Sequence, residues 1–294
     1  MIPHQSNKKA LILYFSCSQH TALLAKEVEA AVTKTGWEAQ CNPLRQAAQA
    51  LAAEKPGFII LGTPTQYFTV PESAMRMIRN LPELNGVPAF VFSTYGGCVA
   101  NNVPFMLATE LFGKGARILG GAQFLTPHSC RINGDTTLGN TESAFGKGHP
   151  DDTDLGKLRS AVTELISQID SGTEKTIPLF KLKINNMGTI STIMNATTPL
   201  KMKRMFLPHV QIVKNKCAGC QKCSEACDSG SITYDNAGTV AINRDTCTKC
   251  YACIEQCRDG VLTTRWKQAE LVVRIMNKIA QETAPAIVCQ AGTL

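Results

Sequence analysis

Residues 217–227 read Cys-Ala-Gly-Cys-Gln-Lys-Cys-Ser-Glu-Ala-Cys, and residues 247–257 read Cys-Thr-Lys-Cys-Tyr-Ala-Cys-Ile-Glu-Gln-Cys. Both runs follow C-x2-C-x2-C-x3-C, and each cysteine of the first recurs 30 residues later in the second. Eight of the chain's 13 cysteines lie between Cys217 and Cys257. In a reducing compartment, thiols this crowded indicate metal binding and not disulfides. A segment so committed has to fold around what its sulfurs hold.

The spacing favours cubic iron–sulfur clusters. Three thiolates two residues apart wrap one cluster, and the fourth, on the next turn, points to the other. One cluster then takes Cys217, Cys220, Cys223 and Cys257, and the second takes Cys247, Cys250, Cys253 and Cys227. Zinc is the alternative metal, but two such triplets over-supply a tetrahedral site. On these residues, 209–265 resemble a bacterial-type ferredoxin with two [4Fe-4S] clusters. The family usually has proline after the fourth cysteine, whereas Asp228 and Arg258 stand here. Gly230-Ser-Ile232 and Gly260-Val-Leu262 resemble the glycine and apolar residue that follow it.

At 294 residues the chain is long enough for about two domains. Its first part alternates apolar runs with helical periodicity. Strands are expected over 10–16, 37–44, 57–62, 87–93 and 116–125, and helices over 21–34, 45–53, 71–80, 103–113 and 154–169. This alternation predicts an α/β fold with a doubly wound, five-stranded parallel sheet, followed by a small α+β cluster domain. The polar, glycine-rich stretch 127–153 interrupts the pattern as a long loop. Residues 171–213 have little periodicity, although 189–205 has some helical character, and 269–280 reads as an amphipathic helix. The expected organisation is 1–172, a basic linker over 173–208, 209–265, and a helix with tail over 266–294.

The first strand–helix turn carries Ser16, Ser18, Gln19, His20 and Thr21. Hydroxyls and backbone N–H groups at a helix N-terminus suit a phosphate, although Ser18 could serve only as a helix cap. The turn resembles the flavodoxin phosphate loop, with Ser16, Ser18 and Thr21 at its hydroxyl positions, Gln19 in place of glycine and His20 where asparagine is common. After the third strand, Gly62-Thr63 and then Pro64, Thr65, Gln66 and Tyr67 resemble the loop on one flavin face. After the fourth, Ser93 and then Thr94, Tyr95, Gly96 and Gly97 resemble the loop at the other ring edge. All three loops are expected at the carboxyl ends of strands, where an open sheet binds ligands, and the resemblance implies a flavodoxin-like domain with FMN bound there. Tyr67 and Tyr95 are the expected aromatic contacts. Together the two halves resemble flavodoxin–ferredoxin fusions of anaerobic-type metabolism.

The net charge is +7, and no acidic residue occurs between Glu174 and Glu225, a stretch with nine lysines and arginines. Such a face can steer an acidic redox protein or an anionic membrane surface, or be a solvated linker face, and Lys201-Met-Lys-Arg204 is its densest part. Nucleic acid is not expected, because no recognition motif accompanies the charge. No apolar run is long enough for a membrane span and no export signal is seen, so a cytoplasmic location is expected. A homodimer is compatible with the sequence. Cys17, Cys41, Cys98, Cys130 and Cys289 read as small buried hydrophobes. His128, Cys130, Arg131 and His149 lie in the long loop.

Two functional classes follow. The first is an electron carrier passing low-potential electrons between the clusters, FMN and a redox protein. The second is an oxidoreductase whose flavin reduces a small-molecule acceptor, with the clusters as internal wire. A third reading keeps the clusters and leaves the flavodoxin-like half as a flavin-free docking module. No catalytic residue is assigned.

Overall fold

In the computed structural model of the chain, residues 7–97, 101–129, 131–133, 136–137, 146–184, 207–213, 217–236, 238–257, 259–267, 271, 286–289 and 292–293 are described. The expected helix over 189–205, the cluster Lys201–Arg204, Cys98, Cys130 and Arg258 lie outside them, as does 269–280 except for Leu271.

Five strands, β1 (Lys9–Tyr14), β2 (Glu38–Pro43), β3 (Phe58–Pro64), β4 (Pro88–Tyr95) and β5 (Arg117–Leu125), pair in parallel in the order 2-1-3-4-5. This is the flavodoxin-like doubly wound order, with its switch point between β1 and β3. The strands are near-continuous apolar runs because both faces are covered. Leu11, Leu13, Ile59, Leu61 and Val91 face α2 (Ala47–Ala53), α3 (Glu72–Arg79) and α4 (Val103–Gly113). Ala10, Ile12, Phe58, Ile60, Phe90 and Phe92 face α1 (His20–Lys34) and α5 (Asp152–Ser171). The period of two in the strands thus sorts side chains between two cores. A capping box fixes the start of α5: Asp151 accepts from the Asp154 N–H at 2.8 Å, and Asp154 accepts from the Asp151 N–H at 3.1 Å.

In the long loop, β6 (Arg131–Asn133) and β7 (Thr136–Thr137) form an antiparallel pair apart from the sheet, and the sheet itself goes beyond the expected five strands. From the tail, β12 (Ala286–Cys289) lies antiparallel on the free edge of β5, and β13 (Gly292–Thr293) lies outside it. Ile287 is fully buried between β5 and α5. The tail's four-residue apolar run was too short to announce its partner in the sequence. The opposite edge, β2, is polar and ends in Pro43, which discourages further pairing. The start of the expected linker also joins this unit: Ile177 donates its N–H to the Ile118 carbonyl, and Leu182 is fully buried.

The second unit repeats itself in backbone as in sequence. Helix α6 (Lys222–Glu225) and helix α7 (Ala252–Gln256) follow left-handed Gln221 and Tyr251, at φ 61° and 62°. The pairs Gly219/Lys249 and Gly230/Gly260 also have positive φ. Two short antiparallel pairs complete it, β8 (Gln211–Ile212) with β11 (Leu262–Thr263), and β9 (Ile232–Tyr234) with β10 (Val240–Ile242). Val210, Ile232, Val240, Tyr251, Ile254, Leu262 and Trp266 form its core.

Two stability changes are expected. Gln19, which leads into α1, has φ 66°, a left-handed conformation that costs a side chain about 1–2 kcal/mol. Gln19→Gly should raise the unfolding free energy by about 1 kcal/mol, read from denaturant titration. Ile287→Ala should lower it by about 2–5 kcal/mol, because it empties a core site shared by tail and helix. An unchanged unfolding midpoint would mean that the tail strand contributes nothing.

Candidate functional site: two cysteine cages on the carboxyl edge of the sheet

The repeat folds so that each set of four cysteines named from the spacing meets around one small cavity. One is lined by Cys217, Cys220, Cys223 and Cys257. The other is lined by Cys227, Cys247, Cys250 and Cys253. The crossover of the fourth cysteine arises because α6 and α7 pack side by side, each carrying its cysteine toward the other half. Eight convergent sulfurs without a disulfide are a donor set suited to two cubic clusters. Cys223 and Cys253 are buried, whereas Cys220 is exposed, so the first cage is the one nearer solvent at that ligand.

Polar groups already point at the sulfurs. The Tyr234 hydroxyl lies 3.1 Å from Cys223 Sγ. The Ser231 N–H donates to Cys227 Sγ at 3.2 Å, and the Ser229 hydroxyl is 3.4 Å from the same sulfur. Hydrogen bonds of this kind favour the more negative, reduced state of a cluster.

The second cage is set against the N-terminal unit. The Tyr67 hydroxyl donates to the Thr248 carbonyl at 2.9 Å, and Arg76 donates to the Asp228 carbonyl at 3.2 Å. Ala226, Cys250 and Ala252 pack on the core that contains Phe15, Cys17 and Leu44. Cys17 and Cys250 are joined side chain to side chain, a contact that pushes the Cys17 thiol up and draws the Cys250 thiol down to about 7. Asp228, at the position where proline is usual, thereby serves as a docking point through its backbone.

The β1–α1 turn faces the same junction. A cavity of about 340 Å³ lies between Ser16, Cys17, Gln19 and Arg45 on one side and Lys222, Glu225, Asp228 and Gln256 on the other. Ser16 Oγ is buried there without a hydrogen-bond partner among the described residues. An orphaned hydroxyl beside a helix N-terminus fits a phosphate oxygen. Gln19 holds the left-handed conformation that glycine would adopt, so its replacement of glycine leaves the turn's backbone shape intact. The Ser18 hydroxyl is 3.3 Å from His20 Nδ1, and burial lowers the His20 pKa. Thr21 and Thr94 share a hydrogen bond of 2.8 Å, both buried, so Thr21 meets the β4 loop.

The other expected flavin residues lie at the ends of β3 and β4. Thr65 donates its N–H to the Thr94 carbonyl at 2.6 Å, which sets Pro64, Thr65 and Gln66 beside the β4 end. Tyr67, in left-handed conformation at φ 51°, is turned to the second unit. Tyr95 is buried against Leu125. Gly96 is pressed by the long loop: a Cβ there would lie 2.6 Å from His128 Cα. Gly97 has φ 115°. The structure therefore brings Ser16, Ser18, Gln19, His20, Thr21 and Thr94 together, with the Tyr67 hydroxyl on the Thr248 carbonyl and Tyr95 against Leu125.

Sequence reasoning did not single out Tyr234, Thr248 or Arg76, and treated Cys17 as a buried hydrophobe. Cys17 is buried, but it also touches a cage sulfur. Burial pushes the Cys41 thiol up to about 11 and the Cys289 thiol up to about 12, as suits unreactive packing cysteines. His149, Asp151 and Asp154 converge, but their contacts are those of the α5 cap. Among the described residues, no helix is long and apolar enough to cross a membrane.

Residues 209–258 match a family model described as a 4Fe-4S dicluster domain. No curated protein matches the chain. Among solved structures, a flavodoxin from the domain Archaea is similar at 15% identity, over 55% of this chain and 99% of that one, with a TM-score of 0.43. The flavodoxin of Megasphaera elsdenii in its two-electron reduced form is similar at 20% identity, over 53% of this chain and 98% of that one, with a TM-score of 0.40. The rubredoxin oxygen:oxidoreductase of Desulfovibrio gigas is similar at 14% identity, over 56% of this chain and 36% of that one, with a TM-score of 0.42. The C-terminal unit thus has the pattern of a 4Fe-4S dicluster domain, joined in one chain to a sheet with the strand order of a flavodoxin.

Proposed function

We propose that the protein transfers low-potential electrons through two [4Fe-4S] clusters to or from an FMN bound at the carboxyl edge of the sheet, and exchanges them with a redox protein. The observation that carries this reading is the seating of one four-cysteine cage directly on the β1–α1 turn. Cys217, Cys220, Cys223 and Cys257 hold one cluster, and Cys247, Cys250, Cys253 and Cys227 the other. Ser16, Ser18 and the backbone of the turn bind the phosphate, with Arg45 beside the turn and Lys222 across the cavity supplying positive charge, next to the Glu225 and Asp228 carboxylates. FMN, when bound, exchanges one or two electrons, whereas each cluster handles one. The chain's own task is to fix distance, exclude water and place hydrogen bonds on the sulfurs. The lysine-rich segment after Glu174 attracts an acidic partner.

Anaerobically purified protein should contain about eight irons, eight sulfides and one FMN per chain. Clusters without flavin, also after reconstitution, would leave the N-terminal unit a docking module. Zinc in place of iron would overturn the proposal. Cys253→Ser should cost about half the iron, because it opens one cage only.

A second reading, reduction of a small acceptor under the long loop, is favoured by the approach of His128 to Gly96. Burial pushes the His128 imidazole down to about 4, below its ordinary 6.5. Unfolded chain therefore takes up a proton first as pH falls, and native stability declines between about pH 6.5 and 4. His128→Asn should remove that part of the decline, read by denaturant titration across the window. Loss of acceptor reduction with electron exchange intact would favour the reductase.

A further inference from the structure

We infer that Cys17 is a positioning residue for the cluster of Cys227, Cys247, Cys250 and Cys253, and that this cluster is the one coupled to the N-terminal unit. The inference rests on the proposal that the eight cysteines hold two clusters, and deepens it by giving the clusters an order.

Among the described residues, three contacts tie the second cage to the N-terminal unit. Thr248, between Cys247 and Cys250, takes the Tyr67 hydroxyl at its carbonyl. Asp228, next to Cys227, takes Arg76. Cys17 reaches Cys250 itself, within one packed cluster that also contains Ala252. The residues around the first cage, including Ala218, Tyr234, Val240, Asp259 and Val261, all belong to the second unit. Its Cys220 is exposed. With both clusters and FMN bound, electrons exchanged with an outside protein would meet the first cluster at the surface, pass to the second, and reach the FMN at the β1–α1 turn beside Cys17.

The chemistry at Cys17 has a definite sign. A cluster-bound Cys250 sulfur carries no proton, so in that pair the Cys17 S–H is the donor. It stabilises the reduced cluster, which holds one more negative charge, and raises the reduction potential. Tyr234 does the same for the first cluster through Cys223. Beside the Ser231 and Ser229 contacts to Cys227, the second cage thus has a donor from the neighbouring unit, Cys17, and the first has Tyr234 from its own, and each can be removed by one substitution.

The test is a spectroscopically monitored redox titration of the full-length, cluster-loaded protein and three variants. Wild type first shows whether two clusters are present; their absence would defeat the underlying proposal and not this one. Cys17→Ala should make one midpoint more negative and leave the other in place. Cys17→Ser keeps a donor in the buried site and should hold that midpoint at or above its wild-type value, even if the alanine variant fails to fold. Tyr234→Phe should lower the other midpoint. Iron content should stay at the wild-type level throughout. The inference fails if Cys17 variants move neither midpoint or move the one that Tyr234→Phe moves. It fails equally if they lose iron, which would make Cys17 a ligand.

Discussion

A parallel sheet with helices on both faces has only its edges and its ends left for anything else, and that constraint organises this molecule. Both faces are consumed by packing: Leu11 and Leu61 turn to α3 and α4, Ile12 and Ile60 to α1 and α5. One edge is left polar on β2, and the other is covered by β12. The carboxyl ends of β1 and β3 are what remains, and the cysteine-rich unit sits there. Tyr67, Arg76 and Cys17 all come from just beyond those strands or from α3. The candidate site thus lies at the carboxyl ends of the strands, where an open sheet leaves room for a ligand.

The cysteine-rich unit solves a different problem. It is too small for a large core, and its ten-residue apolar cluster includes Cys223 and Cys253. Sulfurs that line the cages serve also as core atoms. A unit of this kind draws its folding energy from what it binds, so its internal symmetry is a requirement of ligation. Gln221 and Tyr251 adopt the same left-handed turn although neither is glycine, because each must start a helix directly after a cage loop.

Much of this was legible in the sequence, for physical reasons. Buried strands such as Phe58–Pro64 are short apolar runs between turn residues, and they read as such. The cages were legible because ligation dictates spacing. The β1–α1 turn was legible as a strand–helix turn through its hydroxyls, and Gln19 keeps a left-handed backbone there. What was not legible depended on partners distant in sequence. Ile177 and Leu182 looked like linker, yet they are buried on β5 and α4. Ala286–Cys289 carries no sign that it pairs with Gly120–Gln123. Cys17 has the residue type of a packing cysteine, and only the docked cage gives its sulfur a second role. The contact of the Tyr67 hydroxyl with the Thr248 carbonyl likewise joins residues 181 positions apart.

The covering strand has a consequence for biosynthesis. β12 is made about 160 residues after β5, with the whole cysteine-rich unit between them. Loop-closure entropy grows slowly with length, so the pairing is affordable once formed but late to form. During translation the β5 edge emerges early and stays bare while the thiols are still being synthesised. The nascent chain therefore exposes an unpaired, apolar strand edge during the same interval in which its clusters have to be inserted, and cofactor delivery and protection from aggregation become one timing problem.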